Sequence, residues 1–316
     1  VFFFGHGSGG LWKTEDAGAY WVPVGAGQFN CASVGAMAIS EKNPDIMYVG
    51  LGEPQLRQSV SWGDGIYKSV DSGRTWQHIG LEDSLHIARV RIHPDNPDVV
   101  FVASMGHAFG PTKERGVFRT TDGGASWEKV LYQNDLTGAI DLVMSPGDPN
   151  VLFAALWTFE RKAWGSFFGG PDGGIWRSQD GGDTWQEITS NPGLPEGDAG
   201  RIGLTMSAAD PDRVYALVDS ATKSGLYRSD DAGDSWRFVS GDANVTARPF
   251  YFTHIYADPN NADNLWSPGN KLWRSVDGGE SWILEPSIKD DFQDIWIDPE
   301  DPMRMIVTCD GGTAVS

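Results

Sequence analysis

One octet, Ser or Thr-x-Asp-x-Gly-x-x-Trp, limits what this chain can fold into more than any other feature. It occurs first as Thr14-Glu15-Asp16-Ala17-Gly18-Ala19-Tyr20-Trp21, then over 69–76, 120–127, 178–185, 229–236 and 275–282. The closing tryptophans, Trp21, Trp76, Trp127, Trp185, Trp236 and Trp282, are 55, 51, 58, 51 and 46 residues apart. Near-constant spacing of this kind means one structural unit per repeat.

The second complete unit shows what the unit is. Ala88-Arg89-Val90-Arg91-Ile92 alternates as a half-buried strand does. His93 to Asp98 is rich in turn formers, and Val99-Val100-Phe101-Val102-Ala103 reads as a strand covered on both faces. Gly116 to Thr120 is a third strand, the octet is a turn, and Ser126 to Val130 is a fourth strand. No apolar period of 3.6 residues extends beyond about two turns, so helices are not expected. Forty glycines in 316 residues agree with many tight turns. Four antiparallel strands per roughly 50 residues predict an all-β fold, a β-propeller of four-stranded blades, because one such sheet cannot cover both its faces alone.

The predicted blades are 1–26 (partial), 27–80, 81–132, 133–190, 191–240, 241–286 and 287–316 (partial). They form a single propeller domain over 1–316. The first lacks its first strand and the last stops before its octet. The two remnants duplicate rather than complement each other, so a longer natural chain is expected.

Within the octet, Asp16, Asp71, Asp122, Asp180, Asp231 and Asp277 can accept bonds from turn amides, and the Ser or Thr hydroxyl can do the same. Gly at the fifth position permits positive φ, and Trp covers the turn. The residue types are therefore structural. Acidic residues exceed basic ones, 43 to 24, for a net charge of −19, a balance that repels nucleic-acid phosphates. No apolar run reaches the roughly 18 residues of a membrane span. Cys31 and Cys309 could form one bridge or remain two thiols. The six histidines show no metal-ligand spacing, and nothing asks for a cofactor. Gly5-His6-Gly7-Ser8-Gly9-Gly10 matches a dinucleotide fingerprint by letters, but a strand follows where that motif needs a helix.

Chain direction places the loops after second and fourth strands on the face opposite the octets. Three long segments after second strands, 52–64, 105–115 and 157–170, belong to consecutive blades. They offer Glu53, Arg57, Trp62, His107, Arg115, Trp157, Glu160, Arg161 and Trp164 as candidate ligand-binding residues. Arginine forks suit carboxylates and indole faces suit sugars. A structural reading of the same loops pairs Arg57, Arg115 and Arg161 with Glu53, Glu114 and Glu160, and packs Trp164, Phe167 and Phe168 into a satellite core.

The octets and strand pattern resemble the BNR/Asp-box repeat proteins. That group includes sialidases, xyloglucan-cleaving glycoside hydrolases with tandem propellers, sortilin-type receptors and a photosystem II assembly factor, and the chain most resembles its bacterial sortilin-like and xyloglucanase-like members. The resemblance implies an exported, extracellular or periplasmic protein. It implies a module binding a peptide or glycan through the face opposite the octets, with a second propeller in the same chain as a possible partner. The alternative it implies is a glycoside hydrolase. The sialidase motif Arg-Ile-Pro is absent. Xyloglucanase-type enzymes place two aspartates in Asp-x-Gly-Gly-like loops after second strands. Here Cys309-Asp310-Gly311-Gly312 has one, and the corresponding loop at Gly5–Gly10 has none, which leaves Asp310 a lone catalytic candidate.

Overall fold

The computed structural model describes residues 1–286 and 289–316. Its described residues form seven antiparallel sheets in chain order. The second sheet shows the plan: Val34–Ile39, Met47–Leu51, Ile66–Ser69 and Gln77–His78, each strand paired with the next. The third, fourth, fifth and sixth sheets repeat it from Ile87, Thr137, Ala199 and Tyr256. The first sheet has three strands, Phe2–His6, Gly10–Thr14 and Val22–Val24, and so does the seventh, Phe292–Ile297, Met305–Cys309 and Gly312–Val315. A 3₁₀ turn, Glu82–Ser84, is the only helical element among the described residues.

Burial follows the apolar pattern of each strand. Met47–Leu51, Leu152 to Trp157 and Val214 to Val218 are buried at every position, so these second strands have protein on both faces. Fourth strands such as Gln77–His78 and Gln186–Glu187 are exposed and short, as an outer edge should be. Each sheet shares a core with the next. Leu11 packs with Val34 and Val49, Tyr48 with Ile87 and Val100, Phe101 with Leu142 and Leu152. Phe153 packs with Ile202 and Val214, Leu217 with Ile255 and Leu265, Trp266 with Phe292 and Ile295. The seventh sheet then meets the first: the Phe2 and Trp296 rings are 6.0 Å apart and Arg304 lies over Phe2 at 5.1 Å. The chain of contacts closes on itself, giving the β-propeller that the repeat predicts.

Two expectations need correction. The turn expected over His93–Asp98 is tighter, because one strand runs to His93 and the next starts at Asn96. Residues 157–170 are no loop. The strand Leu152–Lys162 continues outward and Gly165–Phe168 folds back on it, so the segment is a projecting hairpin built on the Glu160–Phe167 register.

The octet turns share one hydrogen-bond pattern. Ser69 Oγ accepts from the amides of Asp71 (3.3 Å) and Gly73 (2.9 Å), and donates to Asp71 Oδ1 (2.8 Å). Asp71 Oδ1 accepts from Thr75 N and Oδ2 from Thr75 Oγ1. The seventh octet residue therefore matters as much as the first. Positive φ is required at the fourth position as well as the fifth: Gly123, Gly181 and Gly278 supply it, while Ala17, Ser72 and Ala232 adopt φ of 52–59° with a Cβ.

Candidate functional site

The loop face opposite the octets is assembled from backbone that the sheets hold rigid. Arg161 Nη1 donates to the carbonyl of Leu56 at 2.8 Å, and its amide donates to Ala108 O at 2.9 Å. Segments of the second, third and fourth sheets are thereby tied together, as consecutive blades allow.

The nine candidates separate into two groups. Trp157 and Arg115 are fully buried and Arg161 nearly so. Arg115 donates to the carbonyls of Leu136, His107 and Gly110, and its guanidinium lies 4.0 Å from the Phe159 ring. Burial pushes Arg115 down to about 10. These residues hold the face together and present nothing to a ligand. The expected ion pairs of Arg115 with Glu114 and of Arg161 with Glu160 are not made: both guanidinium groups go to carbonyls, and Glu160 pairs with Lys162 at 3.0 Å. His107 Nδ1 accepts from Phe109 N at 3.0 Å, which makes it part of its own turn.

The accessible group comprises Trp62 (62 % exposed), Trp164 (82 % exposed) and Arg57. Trp164 sits at the tip of the projecting hairpin with Lys162 Nζ 5.8 Å from its ring, so the satellite core expected there does not form around it. Phe168, on the same hairpin, does pack: Trp157, Phe168 and Phe250 stack at 5.3 and 5.5 Å. Trp62, Val60, Ser61, Ser8, Cys31 and Ser33 line a depression of about 360 Å³ between the first and second sheets. Cys31 and Cys309 are both free thiols.

Glu53 and Asp310 are two carboxylates of this face close enough for the Asp310 charge to act on Glu53. Glu53 Oε1 takes Arg57 Nε at 2.7 Å and Oε2 takes the amide of Ser61 at 3.3 Å. Burial pushes the Glu53 carboxyl up, Arg57 pulls it back, and Asp310 adds a smaller upward push. A Cβ at Gly7 would lie 3.6 Å from Glu53 Cδ, so Glu53 rests against the glycine loop of the first sheet. Asp310, exposed at the hairpin turn between Met305–Cys309 and Gly312–Val315, accepts from Gln293 Nε2 at 3.4 Å. Tyr251 closes the group: burial, then Asp310 and Glu53, push its phenol up. Tyr251 comes from the connection between the fifth and sixth sheets, where its sequence neighbours carry no motif. Among the described residues no cluster of His, Cys, Asp and Glu could hold a metal ion. No helix among them is long and apolar enough to cross a membrane.

No family model matches the chain. A xyloglucanase of Paenibacillus sp. is 26 % identical over 314 residues, covering 87 % of this chain and 29 % of that protein. A xyloglucanase of Acetivibrio thermocellus is 22 % identical over 323 residues, covering 87 % of this chain and 35 % of its own length. The chain thus spans about a third of the curated relatives that it matches. Among solved structures, the GH74 xyloglucanase from Xanthomonas campestris superposes with a TM-score of 0.65 at 18 % identity, over 98 % of this chain and 49 % of that one. That last likeness concerns the fold.

Proposed function

We propose that this chain is a propeller of a glycoside hydrolase acting on xyloglucan or a related glycan, with the face opposite the octets as its cleft. The observation that supports it is similarity to xyloglucanases along 87 % of the chain, joined to two carboxylates on the loop face. In this reading Asp310 and Glu53 are the two carboxyl groups of the reaction, and Glu53, whose carboxyl is pushed up by burial, is the better placed to hold a proton. Glycosidases divide labour between two carboxyl groups in this way. Trp62 and Trp164 offer indole faces on which sugar rings can stack. Extracellular or periplasmic location and work beside a second propeller belong to the same proposal.

The test is reducing-sugar release from xyloglucan by the protein and by its Asp310→Asn and Glu53→Gln variants. Each substitution is expected to lower kcat by a factor of about 10²–10⁴. Unchanged hydrolysis in both variants rejects the assignment of the pair. A second reading, a binding module without catalysis, draws on the 82 % exposed Trp164. Retention on a xyloglucan affinity gel with no sugar release from any variant would favour it.

A further inference from the structure

The innermost strands turn side chains toward the propeller axis, and this acidic protein puts guanidinium groups there. Arg89, from the strand Ile87–His93, donates through Nε to Asp141 Oδ1 at 2.8 Å and through Nη1 to Ala88 O at 3.0 Å. Its Nη2 reaches across the axis to the sixth sheet, 3.3 Å from His254 Nδ1 and 3.3 Å from the Tyr256 hydroxyl. Arg201, 2 % exposed, donates through Nη1 to the carbonyls of Phe250 (3.3 Å) and Tyr251 (3.1 Å). Its Nη2 lies 3.4 Å from His254 Nε2. Arg91, two residues beyond Arg89 on the same strand, has one hydrogen bond among the described residues, to Val90 O at 3.1 Å.

Two imbalances follow. A neutral imidazole has one acceptor nitrogen and one N–H. His254 is 2 % exposed and has a guanidinium N–H facing each ring nitrogen. Whichever tautomer it adopts, one of its contacts sets donor against donor, and among the described residues no acceptor receives that N–H. Charge is also unequal. Arg89, Arg91 and Arg201 face the carboxylates of Asp141 and Asp294. Both carboxylates are already engaged: Asp141 Oδ1 also takes Leu142 N and Oδ2 takes Leu204 N, both at 2.9 Å, while Asp294 takes the Tyr256 hydroxyl and Ile295 N. Arg201 is buried and Arg89 and Arg91 are half-buried, and a cation partly withdrawn from water without a counter-charge is costly. A water molecule can supply an acceptor but not the missing negative charge.

We propose that the arginine cluster at the axis is a binding site for a small inorganic oxyanion, of the phosphate or sulfate type, held among Arg89, Arg91, Arg201 and the His254 N–H. Several oxygens on one small ion match donors that arrive from three sheets, which a single-atom acceptor does less well. Bound there, the ion joins the third, fifth and sixth sheets across the axis. By mass action it raises stability in proportion to the logarithm of its concentration.

The experiment is calorimetric titration of the protein with inorganic phosphate and with sulfate, alongside thermal melts at constant ionic strength set with chloride. One site per chain is expected, with Tm rising steadily with the logarithm of oxyanion concentration. Arg91→Gln removes the cation least used by the fold and is expected to weaken binding by about tenfold or more. Arg91→Lys, which keeps the charge and loses the fork, should fall between. Absence of a stoichiometric site in the unaltered protein overturns the proposal, and this arm needs no variant to fold. Equal affinity in a folded Arg91→Gln protein, judged by circular dichroism, overturns it as well. Because the clustered axial residues are distinct from Glu53 and Asp310, failure here leaves the glycan reading standing, and the reverse.

Discussion

At the residue scale, the octet turn is a closed set of bonds among its Ser or Thr hydroxyl, its Asp carboxylate and the turn amides. Ser69 is buried and its Oγ satisfies the Gly73 amide, so Ser69→Ala should cost about 1–3 kcal/mol in urea-induced unfolding. The octet carboxylates respond to pH in a defined direction. Bonds from the hydroxyl and amide of the seventh residue lower Asp71, Asp122 and Asp180 to about 2. Their folded values lie below the unfolded one, near 3.9. The stability they contribute is complete above about pH 4 and is lost as pH falls toward 2. A triple Asp→Asn variant should melt lower at pH 5 and show a shallower decline of Tm between pH 5 and 2. Parallel declines would show that these turns are not the acid-sensitive element. Ala232 adopts φ of 52° where three other copies have glycine. Ala232→Gly is therefore expected to stabilise the protein, by up to about 1 kcal/mol, since the left-handed strain it relieves exceeds the entropy that glycine adds to the unfolded chain.

At the scale of elements, the hairpin formed by the end of Leu152–Lys162 and Gly165–Phe168 has two different roles on its two ends. Phe159 and Phe168 anchor its base, against Arg115 and the Trp157–Phe250 stack, while Trp164 projects from its tip. Trp164→Ala should leave the unfolding midpoint nearly unchanged, since exposed substitutions usually stay within about 0.5 kcal/mol. Retention on a glycan column should weaken in the same variant. Arg115→Ala should do the opposite: it removes three bonds to buried carbonyls, with an expected loss of roughly 3 kcal/mol or more and collapse of the loop face. Sequence pattern alone placed Arg115 and Trp164 in one list, because an arginine or a tryptophan in a long inter-strand segment looks the same whether it faces inward or outward. The segment 157–170 looked like a loop because its glycines and aromatics mask the alternation of a two-stranded ribbon.

At the scale of the whole molecule, close approach of neighbouring sheets depends on residues without side chains. A Cβ on Gly35 would sit 2.3 Å from Ile87 O, and one on Gly203 would sit 2.1 Å from Thr253 O. Both glycines lie in innermost strands, where the sheets crowd toward the axis. Gly203→Ala should lower stability by about 1–3 kcal/mol or more, measured by thermal unfolding, since the backbone facing it cannot yield as a flexible side chain would. A variant as stable as the parent would reject this account of how the fifth and sixth sheets meet. Charge is distributed on the same scale. The molecule has a net charge of −19, yet Arg89, Arg91 and Arg201 gather at the axis. The sequence reading took Arg89 and Arg91 only as alternate positions of a half-buried strand, because alternation does not say which way that face turns.

What the amino-acid order determined by itself was everything that repeats: the octet turns, the two-faced burial of second strands, the strand count per unit and hence the propeller. These are local consequences of turn chemistry and alternation, restated six times, so each copy corroborates the others. That the Asp310 charge reaches Glu53, and that Arg89 meets His254 and Tyr256, only the tertiary structure decided. Those partners lie in different sheets, more than 160 residues apart in the chain, and come together because the ring closes. Closure is a property of how seven sheets pack around an axis, and no local pattern encodes which residues then meet across it.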